Sequence, residues 1–146
     1  INRLDDFVTR RRSIATEYRE QIEQRLNGLV LPLLERDEVR HAYHLFPVTI
    51  EYEAIGLDRA EVMLGLRQRG IGSQVHYIPL HYQPYYRSRC KVQPGTLKRA
   101  ESYYTRCLSL PMFPDMPIDG VNRVVDALCE ILGPNIKQAG KAPTID

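Results

Sequence analysis

A chain of 146 residues with 43% apolar and 26% charged side chains has the balance of one globular domain, able to bury roughly two thirds of its unfolded surface. Its 20 basic and 18 acidic residues leave a formal charge of +2 and are interspersed rather than gathered into a stripe, which argues against nucleic acid as a partner. Three cysteines, Cys90, Cys107 and Cys129, are odd in number and lack a CxxC pair, so the pattern excludes a disulfide framework or zinc knuckle and predicts a reducing, cytoplasmic setting.

From Ile1 to Leu26, apolar residues recur at three- and four-residue steps, the period of an amphipathic helix, which Asn27-Gly28 ends. The pattern is already helical at Ile1, with no capping residue or initiator methionine ahead of it, so the chain reads as a piece of something longer with its first helix cut at the start. Arg10-Arg11-Arg12 is read as a solvated face of that helix rather than a phosphate clamp. No apolar run reaches the roughly 18 residues of a membrane span, and no secretory signal is present, so no membrane partner is expected.

The stretch His41 to Tyr52 is aromatic and β-branched enough for a strand, although Pro47 cannot donate to a ladder and demands an edge position or a bulge. Asp58 followed by Glu61 makes a capping box, Leu57 and Val62 are spaced as a hydrophobic staple, and Gly70 stops a helix of about three turns. Ile71 to Ile78 reads as a second strand. Thr96 is expected to cap a helix reaching Arg106, and Cys107 to Leu110 forms a short strand. After the prolines at 111, 114 and 117, a last helix carries Val121, Val124, Val125, Leu128, Ile131 and Leu132 on one side and ends at Gly133-Pro134. The expected fold is a small α/β (α+β) two-layer sandwich, with helices covering one face of a mostly antiparallel sheet. The domain spans 1–134, and 135–146 is expected to be a mobile tail.

Between the second strand and the third helix lies Gln74 to Arg87, which holds two of the four histidines and four of the nine tyrosines. Pro79 and Pro84 remove backbone donors and fix φ, so this segment presents its rings on a stiffened loop. Two readings stand side by side: a binding loop, or a Tyr-rich cover over the sheet edge. The adjacent tyrosines at 85–86 and 103–104 cannot all face one way, so at least one of each pair is expected to pack. His76 and His81, with His44 and Cys90, lack ligand-like spacing, so no metal site is expected. Cys107, Cys129, Met63 and Met112 read as core. No GxGxxG, GxxxxGK[ST] or GxSxG motif occurs.

Several motifs, in order, carry a family resemblance: Arg11-Arg12 with Ala15-x-x-Tyr18; His44-Leu45-Phe46-Pro47-Val48; Asp58-Arg59; Gly70-Ile71-Gly72; Val75-His76-Tyr77-Ile78-Pro79-Leu80-His81-x-Gln83-Pro84-Tyr85-Tyr86; Ala100-Glu101-x-Tyr103-Tyr104; and Leu108-Ser109-Leu110-Pro111-Met112-Phe113-Pro114. Together they resemble the C-terminal small domain of the DegT/DnrJ/EryC1/StrS family of pyridoxal-phosphate-dependent nucleotide-sugar aminotransferases. The HYIPLHxQPYY form is most similar to the transaminase that installs the 4-amino group of a UDP-linked dideoxy sugar on the way to pseudaminic acid. The resemblance implies a parent enzyme, dimeric when complete, whose large domain holds pyridoxal phosphate on a lysine. Such an enzyme moves an amino group from glutamate to a UDP-linked 4-keto sugar, for surface polysaccharide or nonulosonic acid biosynthesis.

This chain departs from that pattern in one respect. Its lysines are Lys91, Lys98, Lys137 and Lys141, none in the family's cofactor-lysine context, and the large-domain cofactor-phosphate loop is missing. By itself it is therefore expected to bind no cofactor and to be inactive, having no residue to act as the nucleophilic amine. Its implied role is one wall of the active-site cleft. The substrate-side residues implied by motif position are His76, Tyr77, Ile78, Pro79, His81, Tyr85 and Arg87: hydrogen bonds from the histidines and tyrosines, an apolar shelf from Ile78 and Pro79, and Arg87 toward a phosphate. His44 is expected to be a packed, hydrogen-bonded histidine. The contrasting reading from another class is a stand-alone nucleotide-sugar-binding or protein-interaction module without catalysis.

Overall fold

The computed structural model describes residues 3–36, 38–89 and 92–136. It opens with helix α1, Leu4–Leu26, whose Ala15, Tyr18, Ile22 and Leu26 are buried at the three- and four-residue steps read from the sequence. Gly28 follows at φ +79°, a conformation that suits a residue without a Cβ.

The sheet has three short antiparallel strands, β1 (Val30–Pro32), β2 (Phe46–Ile50) and β3 (Cys107–Leu110), in the order β1-β2-β3. Strand β1 was not foreseen, because Leu29 to Pro32 is too brief to show a period. The strand expected over His41 to Tyr52 shrinks to five residues, with Phe46, Val48 and Ile50 buried and Pro47 and Thr49 partly exposed. Pro47 sits in the central strand rather than at an edge or bulge. It is tolerated there because pairing with β1 stops at Pro32↔Val48, which leaves the β1 side of Pro47 without a ladder partner to lose.

After a one-turn helix α2, Tyr52–Ile55, helix α3 runs from Arg59 to Gln68 with the predicted capping box in place. The Glu61 N–H donates to Asp58 Oδ1 at 2.8 Å, and the Asp58 N–H donates to Glu61 Oε2 at 2.7 Å. Val62 is fully buried, Leu57 packs against the same core, and Gly70 ends the element at φ +73°.

The second predicted strand, Ile71 to Ile78, reduces to one bridge. Gln74 and Ser109 exchange hydrogen bonds of 3.2 and 2.7 Å, and the chain then turns away, since Pro79 offers no N–H and leads into a 3-10 turn at Leu80–Tyr82. Helix α4, Pro84–Arg87, has its proline at the first position, where the missing donor costs nothing.

Helix α5, Lys98–Arg106, lacks the Thr96 cap expected from sequence. Leu97 occupies the capping position, and the Glu101 carboxylate reaches back to the preceding backbone N–H groups instead. Helix α6, Gly120–Ile136, continues through Gly133-Pro134 rather than stopping there, because a proline in the final turn removes only one helical hydrogen bond. Its Val121, Val124, Val125, Leu128 and Leu132 are buried and Ile131 packs beside them. Cys90 and the predicted mobile tail lie outside the described residues, except for 135 and 136 in α6.

Helices α1, α3 and α6 pack together over the sheet, and Tyr18 of α1 stacks on Phe46 of β2 at 4.7 Å between ring centroids. Met63, Met112 and Cys129 pack against this core, and Cys107 is buried in β3.

Candidate functional site

Two histidine contacts pin the loop from Gln74 to Arg87. His76 is half-buried, with Nδ1 2.9 Å from the Ser109 hydroxyl of β3. His81 is 6% exposed, with Nε2 2.9 Å from Glu101 Oε1 on α5. Between these anchors the backbone projects outward, leaving Tyr77 77%, Ile78 49% and Leu80 67% exposed.

Downstream, Tyr85 and Tyr86 are both exposed and meet edge to face at 5.2 Å, so neither packs into the core as expected of one of them. The Arg89 guanidinium lies 4.0 Å over the Tyr85 ring, a cation–π contact that holds the ring in place. Arg87 is exposed and Pro79 half-buried. The seven residues singled out by motif position therefore share one loop. Tyr77, Ile78, Tyr85 and Arg87 point to solvent, His76 and Pro79 sit at its base, and His81 is turned inward.

Glu101 is the residue that sequence reasoning did not single out as part of this site. Its burial opposes ionisation, yet the Gly95 N–H, the His81 ring, the Leu97 N–H and the Tyr82 hydroxyl together hold its carboxyl below the ordinary carboxylate range. The pairing spans twenty residues, beyond the reach of any local periodicity. Two signals were available: Glu101 stands in the Ala100-Glu101-x-Tyr103-Tyr104 motif, and two histidines in a loop need polar partners.

Elsewhere, a groove of about 320 Å³ is lined by Leu33, Tyr43, Leu45, Phe46 and Pro47, with Arg19, Glu35 and His44 among its polar residues. It does not include the 74–87 loop. His44 is exposed on its rim rather than packed; its neighbour His41 is the one that is hydrogen-bonded in this segment, with Nδ1 accepting from the Tyr43 N–H at 2.9 Å. The arginine run is likewise more than a solvated face. Arg11 donates to the Tyr43 carbonyl at 2.9 Å and Arg12 to Glu35 at 2.6 Å, tying the β1–β2 connection to α1, while Arg10 pairs with Asp115 at 3.1 Å.

Among the described residues no group of three or more His, Cys, Asp or Glu is placed to hold a metal. Burial pushes the Cys107 and Cys129 thiols up, which makes them poor nucleophiles. Of the four lysines, Lys98 alone is described. It stands exposed in the first turn of α5 and lines neither the 320 Å³ groove nor a smaller one beside Gly70 and Pro111. Among the described residues no lysine is placed to hold pyridoxal phosphate.

Residues 1–129 match the model of the DegT/DnrJ/EryC1/StrS aminotransferase family. The chain is 36% identical over 133 residues to the spore coat polysaccharide biosynthesis protein SpsC of Bacillus subtilis, covering 90% of this chain and 34% of that protein. Among solved structures, S. venezuelae DesV is 32% identical, with a TM-score of 0.76, over 88% of this chain and 33% of that one. Helicobacter pylori PseC, an aminotransferase involved in pseudaminic acid biosynthesis, shares the fold at a TM-score of 0.80 and 23% identity, over 91% of this chain and 34% of its own. The chain spans about a third of the length of the curated relatives it matches.

Proposed function

Since this chain belongs to the DegT/DnrJ/EryC1/StrS aminotransferase family, a sugar aminotransferase domain, we propose that it is the substrate-side small domain of a pyridoxal-phosphate-dependent enzyme. The substrate we assign is a UDP-linked 4-keto sugar, aminated at glutamate's expense by residues of which this chain supplies no cofactor lysine. The resemblance of the His76–Tyr86 motif and the polysaccharide-related name of SpsC support that class.

The observation that carries the reading is the loop's geometry. His76 and His81 are tied down by polar contacts while Tyr77 and Ile78, between them, are left out in solvent. An exposed aromatic and an exposed branched residue are poor investments for stability, but they make a preorganised face for a sugar and its nucleotide. In this role Tyr77 and Tyr85 supply hydroxyls, Ile78 and Pro79 an apolar shelf, and Arg87 a guanidinium suited to a diphosphate. His76 is the base of the wall and His81 its internal anchor. Chemistry at the cofactor belongs to the remainder of the enzyme, and this chain alone is inactive.

Two measurements test the reading. The purified 146-residue chain, mixed with pyridoxal phosphate and borohydride, should retain no stoichiometric cofactor adduct and catalyse no transamination. In the enzyme expressed from the complete reading frame, Tyr77→Ala should lose turnover of the sugar nucleotide with little loss of stability. Transamination by the short chain, or a Tyr77→Ala enzyme of normal activity, overturns the proposal. A reading frame limited to these residues, with UDP-sugar binding and no turnover, favours the stand-alone binding module.

A further inference from the structure

We propose that Glu101 is a positioning residue: through His81 it clamps the substrate-facing loop to the turn before α5, and so sets where Tyr77, Ile78 and Tyr85 stand. This rests on the reading that the loop faces substrate.

The argument begins at a single atom. Glu101 Oε1 lies 3.0 Å from the Gly95 N–H, 3.2 Å from the Leu97 N–H and 2.9 Å from His81 Nε2, and Oε2 takes the Gly95 N–H at 2.8 Å. A glutamate in the first turn of a helix that served only as a cap would satisfy backbone donors and stop there. Here the same oxygen also receives an imidazole from a loop twenty residues upstream. The pair is sheltered from water, with side chains only 6% and 13% exposed, so the contact is charge-assisted and little screened.

His81 is well placed to transmit that constraint. It is the middle residue of the Leu80–Tyr82 3-10 turn, with Pro79 before it and α4, which opens at Pro84, after it. With φ fixed at both prolines, holding His81 leaves few degrees of freedom for Ile78 on one side and Tyr85 on the other. The loop's other end is held to β3 by the Gln74 bridge and the His76–Ser109 contact. The exposed residues thus span two fixed points, one of which Glu101 ties to the start of α5 by accepting from both sides.

Hydrogen exchange and kinetics separate the clamp from the substrate reading. In the 146-residue chain, Glu101→Ala should speed amide exchange across 76–87 about tenfold or more, the effect of freeing His81 from its charge-assisted contact, with α3 and α6 unchanged. Glu101→Gln keeps an acceptor oxygen and should restore most of the protection. His81→Phe, which fills the space without the ring nitrogen, should loosen the loop while leaving α5 capped, so the test survives if Glu101→Ala fails to fold. In the complete enzyme, Glu101→Ala should raise KM for the UDP-linked keto sugar about tenfold and leave KM for glutamate alone, a split that general destabilisation does not produce. Wild-type exchange rates in both Glu101→Ala and His81→Phe overturn the clamp. So does an unchanged sugar KM in Glu101→Ala when Tyr77→Ala raises it. If Tyr77→Ala changes nothing, it is the substrate-wall reading that falls.

Discussion

Tyr18 and Phe46 lie stacked with ring planes 17° apart, and the Tyr18 hydroxyl passes the edge of that stack to donate to the Pro111 carbonyl at 3.0 Å. One side chain of α1 therefore fastens both the central strand and the segment that leaves β3. Burial also pushes the Tyr18 hydroxyl far above its ordinary pKa, so it remains a donor at every physiological pH.

Removing only the hydroxyl, in Tyr18→Phe, should cost about 1–2 kcal/mol by leaving a carbonyl without its partner. Truncation to Ala should cost about 3–5 kcal/mol through the cavity and the lost stacking. Urea unfolding measures both, and equal losses would show that the hydroxyl, rather than the ring, carries the contact.

The Glu35 network makes acid the selective stress on the β1–β2 connection. The Tyr43 hydroxyl, at 2.6 Å, and the Arg12 guanidinium hold the Glu35 carboxyl down at about 2, below its ordinary value near 4.5. A carboxyl depressed on folding contributes stability in full above its unfolded pKa and loses it as pH falls through the folded one. The contacts of Glu35 with Tyr43 and Arg12 should therefore loosen between about pH 4.5 and 2, and Glu35→Gln should abolish that step. Tyr43 chemical shifts followed through an acid titration give the readout, and a step that survives in Glu35→Gln refutes the assignment.

Asp58→Ala should destabilise the fold by about 1 kcal/mol, because the Glu61 N–H at the start of α3 loses its acceptor. Thr96→Ala, at the position that only looks like a cap, should leave stability within about 0.5 kcal/mol of wild type. Denaturation midpoints for the two variants decide between the observed caps and the ones expected from sequence.

Gly65 lets α3 approach α6, since a Cβ built there meets Ile131 Cδ1 at 3.0 Å. Gly65→Val should cost about 1–3 kcal/mol by overpacking that contact. Pairing it with Ile131→Ala should recover part of the loss, and strict additivity of the two changes would argue that they do not touch.

The legible features were those written in adjacent residues. Asp58 and Glu61 cap one another across three positions, the apolar side of α6 follows from spacing alone, and the ring-rich loop announces itself through Pro79 and Pro84. Where the reading failed, a distant partner had intervened. Thr96 yielded to Glu101 because the carboxylate reaches back over more donors, and the Ile71–Ile78 strand shrank because one pair with Ser109 was all the registry that β3 allowed. Arg11 and Arg12 resemble any surface basic run until Tyr43 and Glu35 arrive beside them.

Periodicity and capping chemistry, confined to about one helical turn, determined from the sequence alone that α1, α3 and α6 would form, and which side α6 and the second half of α1 would bury. Only the tertiary structure decided that Pro47 lies in a central strand, that His44 is free while His81 is buried, and that Glu101 holds the loop. Those outcomes depend on which chemical groups meet across twenty or more residues, and pairing at that distance is set by the packing of the whole chain rather than by any local preference.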